Sequence, residues 1–166
     1  MLSCCGSDPV CGPGMAADNG LELAGTGVDV HYKDLHASAN NDCPDPSAPS
    51  GVISLTIGGS QDGSAFPVTL CIPRPDRLSS GALALGTDVK IIDLGADIGN
   101  GCTLARATTP DPTGTVKASG LCGNGKDPAG FALTFENGVV PMKRTCGAQV
   151  DVLNLALTGT VAVAGP

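Results

Sequence analysis

Aromatic residues are almost missing from this chain of 166 residues, which has no Trp, one Tyr and three Phe. Aromatic side chains usually supply much of the area buried in protein cores and interfaces. A core must therefore be built here from Val, Leu, Ile and Ala. The same scarcity disfavours a glycosidase with paired carboxylates, because sugar sites usually contain aromatic platforms.

Basic residues are also few, with nine Lys and Arg against sixteen Asp and Glu and a formal net charge of −7 at pH 7. Nucleic-acid binding needs a basic surface that releases counterions from phosphates. An acidic chain is equally unsuited to holding an anionic membrane by charge alone. No apolar run approaches the roughly 20 residues of a transmembrane helix. We therefore expect no nucleic-acid partner and no membrane-spanning helix.

Cysteine is abundant, because the chain contains eight residues of this type. No CxxC pair, the usual spacing of intracellular zinc sites, is present. Most of the cysteines are scattered one to a strand or loop, which favours disulfides formed in an oxidising compartment. The disulfide candidates are Cys5, Cys11, Cys43, Cys71, Cys102, Cys122 and Cys146.

The hydrophobic pattern has a period of two, which is typical of β-strands, and 24 Gly and 13 Pro interrupt any helical period. Seven to nine short strands with turn signals between them predict an all-β fold, an antiparallel β-sandwich or small barrel held by disulfides. We assign residues 1–20 to an N-terminal tether or lipid-anchor region and residues 21–166 to one all-β domain. The alternating apolar residues include Val28, Val30, Tyr32, Ile53, Leu55, Ile57, Val68, Leu70, Ile72, Val89, Ile91, Val116, Ala118, Phe131, Leu133, Phe135, Leu153, Leu155, Leu157, Val161 and Val163.

Asn137-Gly138 predicts a β-hairpin, because both residue types tolerate the positive φ of a type I′ turn. A two-residue loop at this position would pair Phe135 with Val140. Pro141 cannot donate a ladder hydrogen bond, so the second strand of this hairpin is expected at an edge of the sheet.

One disulfide can be predicted from a turn. Asp111-Pro112-Thr113-Gly114 has the residue preferences of a type I turn. Folding the chain back at this turn brings Cys102 close to Cys122. We therefore predict a Cys102–Cys122 disulfide, and Cys122–Cys146 is the alternative.

The residues that could carry chemistry do not form a recognisable active site. Strand alternation puts His31 on a polar face with Asp29 and Lys33, whereas His36 has the other parity, so the two histidines do not suggest a metal pair. The sequence has no GxSxG elbow, calcium-loop pattern or phosphate-binding glycine motif. We predict no catalytic residue, no metal ligand and no cofactor.

Met1-Leu2-Ser3-Cys4 consists of an aliphatic residue, a small residue and a cysteine, followed by a flexible polar segment. This stretch resembles the end of a bacterial lipobox and so indicates a cell-envelope lipoprotein. The resemblance covers only the first dozen residues, and the basic and apolar signal regions are absent, either removed or never present. It implies a diacylglycerol on Cys4 that would attach the chain to a membrane. The alternative is that Cys4 or Cys5 forms a disulfide in a secreted domain.

The sequence as a whole predicts a non-enzymatic lipoprotein or secreted domain with a structural or binding role. Its expected location is the cell envelope, periplasmic or anchored to the outer membrane, or the extracellular space. One alternative is a subunit of a pilus-like or fibre-like assembly, in which edge strands add to a neighbour. Another is a small secreted enzyme whose site is assembled from distant residues.

Overall fold

The computed structural model describes residues 20–40, 42–48, 51–61, 64–65, 68–73, 81–119 and 131–163. Every regular element in these ranges is a β-strand. None of these ranges contains a helix long and apolar enough to cross a membrane. The strands are β1 (Gly20–Gly25), β2 (Val28–Asn40), β3 (Val52–Gln61), β4 (Ser64–Ala65), β5 (Val68–Pro73), β6 (Gly81–Ala84), β7 (Lys90–Asp93), β8 (Gly95–Gly99), β9 (Cys102–Arg106), β10 (Thr113–Ser119), β11 (Phe131–Cys146) and β12 (Gln149–Val163).

Nine strands form one curled antiparallel sheet in the order β6-β10-β11-β12-β1-β2-β3-β5-β7. The other three strands lie off this path: β4 pairs with β3, and β9 pairs with both β11 and β8. The two outermost strands, β6 and β7, are consecutive in the chain and are joined by a tight turn over residues 85–89. The sheet therefore curls until its two ends meet at this turn. The predicted all-β class is confirmed.

The concave side of the curled sheet encloses a core of aliphatic side chains. Alternating residues of each strand point into it, as a period of two requires. The side chains of Phe131 and Val163 lie outside those described. The other apolar positions predicted from the alternation are buried: Val28, Val30, Tyr32, Ile53, Leu55, Ile57, Val68, Leu70, Ile72, Val89, Ile91, Val116, Ala118, Leu133, Phe135, Leu153, Leu155, Leu157 and Val161.

The hairpin predicted at Asn137-Gly138 is wrong, because β11 continues through this dipeptide to Cys146. Asn137 has a φ of 52°, and the register against β12 shifts between Phe135 and Gly138. Glu136 and Asn137 therefore form a β-bulge opposite Thr158, and Gly138 resumes the ladder opposite Leu157. The chain reverses at residues 147–148 instead, which lets β12 form a ladder with both halves of β11. A hairpin at Asn137-Gly138 would have paired the two halves of β11 with each other, and neither half could then have formed the longer ladder with β12.

Pro141 lies in an inner strand, so its predicted position at a sheet edge is also wrong. β11 pairs with β12 on one side and with β10 and then β9 on the other. Pro141 falls between the segments of β11 that pair with β10 and with β9, where its missing N–H interrupts no ladder. Its carbonyl accepts a hydrogen bond from the N–H of Ala107 at 2.9 Å.

Tyr32 is the only buried aromatic hydroxyl in a core that is otherwise aliphatic, Phe135 and Met142 aside. Its side chain is 1% exposed, and its hydroxyl donates a hydrogen bond of 2.8 Å to the carbonyl oxygen of Gly95. This bond ties β2 to β8. Burial raises the pKa of the Tyr32 phenol well above its ordinary value of 10.0, because the phenolate would lose its hydration.

We predict that the folded protein loses stability as the pH rises above 10, and that Tyr32→Phe removes this part of the loss. Above pH 10 the phenol of the unfolded chain gives up its proton while the buried phenol keeps it, so alkali favours unfolding. Tyrosinate absorbance reports on Tyr32 alone, because the chain has one tyrosine. Ionisation of the native protein with a midpoint near 10 would contradict this prediction.

Candidate functional site

Among the described residues, two disulfides connect parts of the chain that are distant in sequence. Cys43–Cys71 joins the segment 42–48 to β5, and Cys102–Cys146 joins the start of β9 to the end of β11. Crosslinks of this kind are typical of proteins that fold in oxidising compartments.

The predicted Cys102–Cys122 disulfide is wrong, and so is the alternative Cys122–Cys146, because Cys102 and Cys146 bond to each other. The turn over residues 111–114 does not reverse the chain. β9 and β10 both run antiparallel to β11 and lie one after the other along its edge. This arrangement puts Cys102 directly opposite Cys146. The remaining cysteines lie outside the described residues: Cys4, Cys5, Cys11 and Cys122.

A charged cleft of about 230 Å³ opens between the segment 42–48, β7 and the end of β9. It is smaller than the roughly 300–1,000 Å³ of pockets that enclose drug-sized molecules. A small ligand, or one end of a larger ligand, matches this size. The lining residues are Asp45, Gly86, Lys90, Ile91, Ile92, Arg106 and Asp111.

Asp45 forms one wall of the cleft, and its carboxylate accepts three hydrogen bonds. Its Oδ1 accepts from the N–H and the hydroxyl of Ser47 at 2.8 and 2.6 Å, and its Oδ2 accepts from Nζ of Lys90 at 2.9 Å. The hydrogen bonds from the Ser47 hydroxyl and then from Lys90 keep the pKa of Asp45 well below its usual range. The disulfide of Cys43, two residues earlier, anchors this wall to β5.

Of the two cations in the cleft, Arg106 has the weaker pairing, because Lys90 is hydrogen-bonded to Asp45. Its side chain is only 18% exposed, and its nearest carboxylate oxygen, on Asp111, lies 3.7 Å from Nη2. That distance is longer than a hydrogen bond. Its Nε is buried and has no hydrogen-bond partner among the described residues. Nε is closed to solvent, so a ligand oxygen would approach the guanidinium at Nη2, whose contact with Asp111 is long.

A second group of polar side chains lies on the outer face of the sheet, on β1 and β2. Nε2 of His31 is 3.0 Å from Oδ1 of Asp29, and Glu22 is directly opposite His31 in the β1–β2 ladder. The other histidine has different neighbours, because the His36 ring packs over Gly58 of β3. The structure thus places one histidine beside carboxylates and the other on a glycine.

Sequence reasoning did not name Glu22, Lys90 or Arg106, and it named Asp111 only as part of the predicted turn. Glu22 had a usable signal, because a two-residue turn at Thr26-Gly27 puts it opposite His31. No sequence pattern placed Arg106 and Asp111 in a site, because the curling of the sheet brings them to the same cleft as Asp45.

Comparison with protein-family models, curated proteins and solved structures found no match to the chain. Any functional conclusion therefore depends on the chemistry of the cleft and of the polar group on the outer face.

Proposed function

We propose that this chain is a non-enzymatic binding domain of the cell envelope or the extracellular space, and that its charged cleft binds the anionic group of a small ligand. The observation that carries the proposal is the guanidinium of Arg106, which is mostly buried, faces the cleft and is loosely paired. The two disulfides support the location outside the cytosol. Attachment through a lipid on Cys4 and secretion without a lipid are both compatible with this function.

A carboxylate or phosphate suits Arg106, because a planar guanidinium can donate two parallel hydrogen bonds to either group. Such a ligand would replace Asp111, which is 76% exposed and lies 3.7 Å away. A contact as long as 3.7 Å to a mostly exposed carboxylate contributes less than about 1 kcal/mol, so the displacement costs little. The net charge of −7 repels anions at long range, but salt screens charges beyond about 8 Å at physiological ionic strength. Contacts inside the cleft therefore decide the binding.

The lining of the cleft favours binding over catalysis. Its seven residues include no Ser, Cys or His, and Lys90 is hydrogen-bonded to Asp45, so the described lining offers charges that can hold a ligand but no hydroxyl, thiol or imidazole nucleophile. The binding role is also better supported than assembly by strand addition. The outermost strands β6 and β7 have four residues each, which leaves a neighbouring chain a short ladder.

The cleft is tested by titrating the protein with succinate and with inorganic phosphate while backbone amide resonances are recorded. We expect shifts at Gly86, Ile91 and Ile92, and we expect Arg106→Gln to abolish them. Asp111→Asn should tighten binding by up to about fivefold, because it removes a competing carboxylate whose ion pair is worth less than about 1 kcal/mol.

The matched control is Glu136→Gln, which removes one negative charge from an ion pair with Lys117 outside the cleft. This variant should bind both probes like the unmodified protein. Unchanged affinity in Arg106→Gln, or no response to either probe, would contradict the proposed cleft. The intact mass of the native protein then separates the two locations, because a diacylglycerol on Cys4 adds several hundred daltons.

A further inference from the structure

The hairpin of β1 and β2 brings an imidazole and two carboxylates to one patch of the outer face. Thr26 and Gly27 have φ values of 51° and 75°, as the two central residues of a type I′ turn require. This turn sets the register in which Glu22 lies opposite His31. Asp29 precedes His31 by two residues, so both side chains point to the same face.

The donor atoms of this patch are close enough to share one metal ion. One ligand atom from each of Glu22, Asp29 and His31 lies within 4.8 Å of the other two. Ligands of a tetrahedral zinc ion, at about 2.1 Å from the metal, are about 3.4 Å apart. The side chains of His31 and Asp29 are 51% and 73% exposed. Small side-chain rotations can therefore shorten the distances between the ligand atoms to those of a zinc site without disturbing the core.

The imidazole distinguishes this patch from an ordinary acidic surface. Imidazole nitrogen suits zinc and copper, whereas a site made only of carboxylates suits magnesium or calcium. Asp29 pairs with His31, while Glu22 has no ion pair with any described residue, so the patch carries more negative than positive charge. A divalent cation would neutralise both carboxylates at once.

We propose that Glu22, Asp29 and His31 bind a divalent transition-metal ion of the zinc type. Nε2 of His31 and one oxygen of each carboxylate are the protein ligands. The remaining coordination positions are open to water or to a ligand from another molecule, because the patch lies on the solvent side of the sheet. The site is separate from the cleft and does not depend on its function.

Zinc titration calorimetry tests this site, using tag-free, oxidised protein with any free thiols alkylated. We expect one binding event that His31→Gln weakens by roughly tenfold or more, since loss of even a supporting residue can cost a metal site that much. Glu22→Gln should weaken it too, which separates a three-ligand site from the Asp29–His31 pair alone. His36→Gln is the matched control, because His36 is exposed on the same strand and should leave the affinity unchanged.

Equal zinc affinity in the His31→Gln and His36→Gln variants would overturn the proposal, and so would the absence of binding to the unmodified protein. Far-ultraviolet circular dichroism shows that each variant is folded before its affinity is compared. Binding of succinate or phosphate in the cleft should be the same in all three variants, so the two proposals fail independently.

Discussion

Replacing Cys102 and Cys146 together by alanine should lower the free energy of unfolding by about 4 kcal/mol in the loop-entropy description of disulfides. The two cysteines are 44 residues apart in the chain, and the crosslink removes conformations from that whole loop in the unfolded state. Single domains are usually stable by about 5–15 kcal/mol, so this loss is a large part of the total. The Cys43–Cys71 crosslink closes 28 residues and is worth about 3.5 kcal/mol by the same relation.

Urea unfolding followed by the fluorescence of Tyr32 measures this effect, because the chain has no Trp and no second Tyr. The matched control replaces Thr103 and Thr145, the neighbouring cross-strand pair of the same ladder, by alanine. That pair has no crosslink and should contribute less than about 1 kcal/mol. Equal destabilisation in the two double variants would mean that the ladder, and not the disulfide, holds β9 in place.

The second large effect is expected from Leu155→Ala, which should destabilise the protein by about 3–5 kcal/mol. Leu155 is completely buried and lies in β12, which is enclosed by β11 on one side and β1 on the other. Its neighbour in the ladder is Val140, which is also completely buried. An inner strand hydrogen-bonded on both edges cannot easily move inward, so the cavity left by the removed methyl groups remains largely open.

Val152→Ala is the control for this substitution, because Val152 lies on the same strand but is 55% exposed. Its loss should change stability by no more than about 0.5 kcal/mol, as for most surface positions. The same urea unfolding experiment compares the two variants. A loss below about 1.5 kcal/mol in Leu155→Ala would fall well under the range for buried leucines and would contradict the core assignment of β12.

The orientation of side chains in the strands was predictable from short stretches of sequence. In β12, Leu153, Leu155 and Leu157 were expected on one face and Thr158 on the other, and the structure buries the three leucines and exposes Thr158. Successive residues of any strand point to opposite faces. The prediction therefore needed no knowledge of which strands are neighbours.

Turn signals were less decisive, because the same dipeptide can adopt different structures. Asn100-Gly101 has φ values of 54° and 71° and closes the β8–β9 hairpin, as its composition favours. Asn137 instead lies in a bulge inside β11, and Gly138 pairs with Leu157 of β12. At Asn137-Gly138 the outcome depends on the long partner strand β12. No local sequence pattern predicts which strand will pair with β11.

The candidate sites also contain some residues whose placement was predictable from the sequence and others whose placement was not. Asp29 and His31 were assigned to one face from strand alternation, but the cross-strand position of Glu22 required the register of the β1–β2 hairpin. The cleft was not predictable at all, because Asp45 and Lys90 meet only when the 42–48 segment is tied to β5 and β7 lies next to it.

The sequence by itself determined the all-β class, the aliphatic core and the side of each strand that is buried, because these depend on residues one or two positions apart. Only the tertiary structure decided that Cys102 bonds to Cys146, that β9 and β10 follow one another along β11, and which charged groups share a cleft. Those outcomes depend on which strands become neighbours in a curled sheet. Strand order is a property of the whole chain, and short-range patterns do not specify it.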